Sequence, residues 1–323
     1  MARGLCLLAF IVLSPLAGSA AEPLRDDRNP LFASLTDPVR PATLIAYTPS
    51  ALDPRNPANQ SALKTSSIRA DLMVLRPAFD GLVLYGYHEA CTPRILDLAV
   101  ELQFRVVLLA IWDPRSAAEV DGVLRLVALY DGKLALGILV GNEGLTFQRY
   151  ETDDLTIATR RLRASLPADG RIPLSTSEPL VGYEQEFVRK FGDFLAPNIH
   201  PVFDRPALGP DEAAEWVRGE ARRLAETSGK PVLVKETGFP HAGKSVYTPD
   251  SQRAFWAACT RRGRLSGTSA AWTCHNVAFE AFDLPWKSEA SGLEIEKSWG
   301  LFSPTREPYP AVEVWKSLKT AQE

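Results

Sequence analysis

Eight short runs of aliphatic and β-branched residues recur along the chain, and a segment of helical character separates each from the next. The runs fall at 42–47, 81–87, 105–112, 134–140, 172–177, 194–199, 232–234 and 268–273. Helices are predicted at 58–75, from Thr92-Pro93 onward, up to Tyr130, and at 153–165, 184–190, 211–226, 250–262 and 309–319. Thr92-Pro93 is a cap followed by a first-turn proline, and Gly229 stops the long helix before the seventh run. The runs are apolar at nearly every position rather than at alternate ones, which suits strands covered on both faces. Strict strand–helix alternation implies a parallel sheet, and eight repeats imply an α/β fold closed as a (β/α)8 TIM barrel. An open doubly wound sheet would carry a Gly-rich phosphate loop after its first strand. Here that position reads YTPSALDP, and no GxGxxG occurs.

The 323 residues suffice for one such barrel with additions. Lys and Arg total 36 against 39 Asp and Glu, a net charge of −3 without any basic run. Nucleic acid is therefore excluded as a partner, as is a polybasic membrane patch. Residues 1–21 read as a signal peptide: Arg3, an apolar stretch over 5–16, then Gly18-Ser19-Ala20-Ala21. The apolar stretch is too short for a membrane span, so the mature chain is expected to be exported, periplasmic or extracellular, with no span of its own. Residues 22–41 are polar and proline-rich and read as a leader lying on the surface. Residues 42–323 then form the single barrel domain. Once Cys6 leaves with the signal, Cys91, Cys259 and Cys274 remain, an odd set without zinc spacing. One disulfide of unread pairing and three buried thiols both fit. His88, His200, His241 and His275 lack the spacing of metal ligands, so neither metal nor cofactor is implied. Oligomeric state is not readable.

Two of the runs end in a carboxylate. PVLVKETGFP places Glu236 where the seventh run stops, and LALGILVGNE places Glu143 at the end of the fourth. Parallel barrels carry their catalytic groups at the C-terminal ends of the strands, and the fourth and seventh strands face each other across the mouth. Paired carboxylates there suit glycosidic bond cleavage, and a retaining enzyme holds them about 5–5.5 Å apart. Asn142 is placed to donate to a sugar 2-hydroxyl or to the nucleophile. Strand alternation sends Lys235 to the face opposite Glu236, so a salt bridge behind the barrel is expected for it. Tyr47, Tyr85, Trp112, Phe203, Phe239, Trp272 and Trp286 fall near strand ends, where aromatic planes can take the apolar faces of sugars. Trp286 and Tyr47 are the first candidates, and ordinary packing accounts for about half of such a set.

The VGNE and KETGFP segments resemble glycoside hydrolase family 17, the β-1,3-glucanase family. Its acid/base glutamate sits in V-G-N-E after the fourth strand, and its nucleophile in E-[ST]-G-[WF]-P after the seventh. Tyr47-Thr48-Pro49, Ala110-Ile111-Trp112, Ser177-Glu178-Pro179 and Asn198-Ile199-His200-Pro201 resemble further strand-end segments of that family. The 279–287 stretch, FEAFDLPWK, and KSWGLF at 297–302 resemble its microbial members. The resemblance implies that Glu236 attacks and Glu143 acts as acid then base. It also implies a β-glucan substrate, β-1,3-linked, cleaved by double displacement without cofactor. Tyr47, Tyr85, Trp112, Asn142, Glu178, His200, Phe239, Glu280, Asp283, Trp286 and Lys287 are the implied substrate-binding residues, with His200 beside the nucleophile. A transglycosylase and a non-catalytic β-glucan-binding barrel remain as alternatives. Two departures stand out. The second strand reads Leu82-Val83-Leu84-Tyr85, where the family carries an arginine that orients the nucleophile region. Leu284 replaces a common acid, and Phe239 a tryptophan of plant members, which points to altered sugar subsites.

Overall fold

The computed structural model describes residues 29–261 and 263–320. Five parallel strands lie in sequence order: β1 (Leu44–Ala46), β2 (Gly81–Val83), β3 (Val106–Ile111), β4 (Ala135–Asn142) and β5 (Leu174–Ser177). Every residue in them is buried. β6 (Val232–Leu233) pairs in parallel with β8 (Trp272–Cys274), and β9 (Val277–Ala278) pairs in parallel with β1. β8 and β9 are two pieces of one run, interrupted at His275-Asn276, so the two sheets share the eighth barrel strand.

The sixth barrel position has no regular strand. Isolated bridges Pro179↔Asn198, Leu195↔Val232 and Asn198↔Glu236 join it to its neighbours and close the ring. Pro197 lies in its middle and has no N–H to give the ladder, which is why regular pairing fails there. The fold is thus the (β/α)8 barrel expected from the alternation.

Alternate strand residues serve two cores. Ile45, Leu82, Val107, Leu109, Ile138 and Val140 pack outward with the helices, whereas Leu44, Val83, Val106, Leu108 and Leu139 point into the barrel. The helices of the barrel are α2 (Pro57–Ala62), α3 (Thr65–Leu75), α4 (Thr92–Glu101), α5 (Ala117–Tyr130), α6 (Thr152–Ser165), α7 (Glu186–Lys190), α8 (Pro201–Asp204), α9 (Pro210–Ser228), α10 (Pro249–Arg261), α11 (Pro285–Ser291) and α12 (Ala311–Thr320), of which α8 and α11 lie at the mouth. The helix predicted over 58–75 is two helices, broken at the buried Leu63, whose backbone is extended.

The surface leader expected at 22–41 does not hold for its described part. Residues Pro30–Thr36 form a helix, α1, begun by the Asn29 side chain accepting from the Phe32 amide at 2.8 Å. Leu31, Phe32 and Leu35 are buried in the inner core. Phe32 meets Phe194 and Trp272 edge-on, with centroids 5.7 and 5.3 Å apart. Trp272 therefore belongs to the barrel floor, not to a sugar site. Gly137 in β4 makes room for the helix: a Cβ there would come within 2.7 Å of Leu31. The polar, proline-rich flanks concealed a helix with only three apolar anchors. Residues 1–28, including the expected signal peptide, lie outside the described residues.

The eighth strand also differs from its expected position. β7 (Leu265–Gly267) turns back antiparallel onto β8 through 268–271, so the strand runs from 272 to 278 and ends at Phe279. Gly267, at φ +118, and the Thr-Ser that follow it are turn residues. Among the described residues no helix is long and apolar enough to cross a membrane, and Cys91, Cys259 and Cys274 are buried free thiols.

Candidate active site

The C-terminal mouth of the barrel holds a cavity of about 1000 Å³, with both Glu143 and Glu236 in its wall. Glu143 closes β4, where the pairing with β5 shifts register between Leu139 and Asn142. Gly141 at φ +80 and Glu143 at φ +57 both take left-handed backbone. At Gly141 a side chain is barred outright, since a Cβ would lie 2.1 Å from the Tyr150 hydroxyl. At Glu143 the conformation costs a non-glycine residue energy, and it turns the carboxyl into the cavity. Asn198 donates through Nδ2 to Glu143 Oε1 at 2.8 Å. Burial and then the nearby Glu236 charge push the Glu143 carboxyl upward, against the Asn198 hydrogen bond.

Glu236 has the opposite bias. Burial alone would raise it, but the Lys235 ammonium and the His200 hydrogen bond outweigh burial and hold its carboxyl well below the usual range. Lys235 Nζ lies 2.5 Å from Glu236 Oε1, and His200 Nε2 lies 3.2 Å from Oε2. Lys235 is therefore not behind the barrel, as alternation led us to expect. The amides of Lys235 and Glu236 both reach the Pro197 carbonyl, at 3.0 and 3.5 Å, so two residues oppose one as in a β-bulge. That local insertion turns two successive side chains to the same face.

Tyr47, Tyr85, Trp112, Asn142, His200, Trp286 and Lys287 line the same cavity. Trp112 is 43% exposed and stacks on the Arg149 guanidinium, 4.1 Å from its centroid. Trp286 Nε1 is a buried donor with no partner among the described residues, and the buried Tyr85 hydroxyl faces Glu236. Tyr47 is tied by its hydroxyl to Asp71 at 3.0 Å and forms floor. Four expected binding residues stand behind the wall instead. Glu178 is fully buried and accepts from the Leu145 and Thr146 amides at 3.0 and 3.1 Å, anchoring the turn after Glu143. Phe239 packs on Phe255 and Tyr247 in the core. Glu280 is buried and receives both its hydrogen bonds from Lys287, at 2.7 and 2.6 Å. Asp283 accepts from His241, the Tyr309 hydroxyl and the Gly300 amide. These acids sit beside strand ends in sequence, but their loops turn them inward to satisfy backbone and cation donors.

Sequence reasoning missed Asn198 as a partner of Glu143, although it sits in the NIHP segment. It also missed Phe147 and Val181, which line the cavity from the loops after β4 and β5 and are 63% and 57% exposed. Nothing in a loop sequence separates such residues from ordinary surface. Among the described residues no group of His, Cys, Asp and Glu could hold a metal ion.

A (β/α)8 barrel with two glutamates converging on one cavity at its C-terminal mouth has the build of a glycoside hydrolase. The family model of the BtgE/BtgC glycoside hydrolase domain matches residues 45–300, and the chain belongs to that family. It is 25% identical over 280 residues, 77% of this chain, to a protein of Aspergillus niger named putative glucan endo-1,3-beta-glucosidase btgC. The chain spans only 40% of that relative's length. It is 23% identical over 265 residues to the glucan 1,3-beta-glucosidase of Saccharomyces cerevisiae, covering 74% of this chain and 82% of the yeast protein. Among solved structures, a glycoside hydrolase family 17 beta-1,3-glucanosyltransferase from Rhizomucor miehei superposes with a TM-score of 0.64 at 20% identity, covering 84% of this chain and 97% of the other. The family 17 likeness seen in the strand-end motifs thus extends to the fold.

Proposed function

We propose that this protein is a retaining glycoside hydrolase of β-1,3-linked glucan, with Glu236 as nucleophile and Glu143 as acid and base. The observation that carries the reading is two carboxyls in one cavity with unlike partners: Lys235 Nζ and His200 Nε2 lie 2.5 and 3.2 Å from the Glu236 oxygens, whereas Glu143 accepts from the neutral Asn198 amide at 2.8 Å, so burial biases Glu143 upward and the ammonium biases Glu236 downward. Environments that push two carboxyls apart assign one as proton donor and the other as ionised attacker. In the first step a Glu236 oxygen bonds to the anomeric carbon, the glycosidic C–O bond breaks, and the Glu143 proton passes to the departing oxygen. In the second, Glu143 takes a proton from the incoming hydroxyl, whose oxygen bonds to the anomeric carbon and frees Glu236. The amide of Asn142 faces the same cavity and suits the sugar 2-hydroxyl. Trp112 and Trp286 offer faces for the sugar rings. The names of the yeast and Aspergillus relatives support the glucan and its linkage.

Proton NMR of early products from a laminari-oligosaccharide tests the mechanism. The β-anomer is expected before mutarotation, and an initial α-anomer would mean an inverting pair and overturn the assignment of Glu236. A second reading, sugar transfer in place of hydrolysis, is favoured by one observation. Phe147, Val181 and the 44% exposed Phe203 give the cavity an apolar rim on the loops after the fourth, fifth and sixth strands, suited to a sugar acceptor. Mass analysis of the products separates the two: longer oligomers mean transfer, and new reducing ends alone mean hydrolysis. We also propose that the enzyme works outside the cytoplasm, on the strength of the signal-like residues 1–21. The mature chain should begin at Ala21 or Glu22, and intact residues 1–20 on soluble protein from the native host would rule this out.

A further inference from the structure

The cation at the heart of the site comes from an unexpected strand. The second strand brings no arginine, only Leu84 and Tyr85. Lys235, 1% exposed, reaches in from the seventh strand itself. Its ammonium has three protons to donate. Nζ lies 2.5 Å from Glu236 Oε1, 2.5 Å from Asn142 Oδ1 and 4.4 Å from the centroid of the Tyr85 ring. Asn198 also donates to Asn142 Oδ1, at 3.3 Å. With its oxygen occupied twice, the Asn142 amide can only present its NH2 to the cavity. Glu236 is fixed at both oxygens, by Lys235 on one and His200 on the other.

We propose that Lys235 is a positioning residue, fixing the Glu236 carboxylate for attack and the Asn142 amide for the sugar 2-hydroxyl. The proposal rests on Glu236 being the nucleophile. It arises from the bulge opposite Pro197, because in a regular strand Lys235 would face away. The titratable groups facing Glu236 come from five strand ends. Lys235 and the His200 hydrogen bond favour its ionised form, and Glu143 from β4, Glu280 from beyond β9 and Tyr85 after β2 are buried around it, each pushed up by that burial. Lys287 is already committed to Glu280. Without Lys235, the buried Glu236 carboxyl keeps the His200 ring at 3.2 Å but loses the ammonium at 2.5 Å.

The test uses an activated 2-deoxy-2-fluoro-β-laminaribioside with a dinitrophenolate leaving group. Glu236 bonds to the anomeric carbon, dinitrophenolate departs with the electron pair, and no proton donor is required. Labelling rate against pH is compared for the wild type, K235M, K235Q and K235R, with melting curves for each. In K235M the acid limb should move up by about 1–3 pH units, as loss of an adjacent opposite charge requires, and K235R should keep the limb near its wild-type position. Turnover of an ordinary laminari-oligosaccharide should fall by about tenfold more than labelling does, since only the 2-hydroxyl substrate uses Asn142. A folded K235M with an unmoved acid limb and a labelling rate within about twofold of wild type overturns the proposal. If K235M does not fold, K235Q gives the same reading with a neutral side chain of similar reach. If neither folds, K235R decides: a retained limb supports the role, and a limb displaced upward despite the retained charge refutes it. Failure of the wild type to label at Glu236 would instead sink the assignment of the nucleophile, which distinguishes the two outcomes.

Discussion

At the scale of single residues, the site depends on which carboxyl holds the proton. On the assignment proposed above, Glu143 must be protonated for the first step, so activity should fall as pH rises through its raised value. On the same assignment Glu236 must be ionised, so activity should fall only at strongly acid pH. Glu143→Ala should lose about 10²–10⁴-fold on glucan yet keep most of the glycosylation step on a glucoside with a nitrophenol leaving group, which needs little protonation. Equal losses on both substrates would contradict the acid role. Glu236→Ala should lose nearly all turnover on either, and added azide should restore part of it with an α-glycosyl product, detected by NMR. Recovery of a β-product would contradict the nucleophile assignment. Glu280 affords a test on stability. Burial pushes its carboxyl up to about 7, against the pull of Lys287. A raised folded value adds stability that is complete below the ordinary carboxyl range and lost as pH rises through about 7. Melting temperature should therefore decline more steeply between acid and neutral pH in the wild type than in Glu280→Gln, and parallel curves would remove Glu280 from the account. Glu143 and Glu236 were legible because each ends an apolar run. The inward turn of Lys235 was not, because a bulge depends on the carbonyl of a proline in the neighbouring strand, a relation no local pattern carries.

At the scale of elements, the strands with long apolar runs were readable and the irregular ones were not. β3 and β4 fall within a residue or two of their expected places, since continuous aliphatic runs admit few other readings. The sixth position reads as a strand in sequence but pairs only through isolated bridges, because Pro197 interrupts it. α1 went unread because its burial depends on a cavity built by β4, Phe194 and Trp272. Phe32→Ala should cost about 3–5 kcal/mol in urea unfolding, the range for emptying a well-packed aromatic site. Turnover by the fraction still folded should hardly change, since the helix lies at the barrel's opposite end. A loss under about 1 kcal/mol would mean that the helix is not the plug its contacts indicate.

For the whole molecule, alternation alone was enough to give the barrel, because eight parallel strands with intervening helices have few ways to bury both faces. It was not enough to fix what borders the substrate. Glu178, Glu280 and Asp283 occur in the same kinds of segment as Glu143 and Glu236, yet they brace loops rather than face the cavity. The choice between water and sugar as acceptor belongs to this scale too, since the apolar rim is assembled from three loops. Phe147→Ala should shift products of a concentrated laminari-oligosaccharide from longer oligomers toward hydrolysis, read by mass spectrometry; an unchanged ratio would exclude the rim from acceptor choice.

The seating of α1 imposes an order on how the chain can be made. Leu31, Phe32 and Leu35 are synthesised well before Phe194 and Trp272, the rings that Phe32 packs against. A chain leaving the ribosome from its N-terminus must therefore keep those three apolar side chains uncovered while most of the barrel is still being translated. α1 can complete its contacts only after Trp272 has been made, and contacts between distant parts of a sequence are slow to form. Until then the partly made protein carries three uncovered apolar side chains.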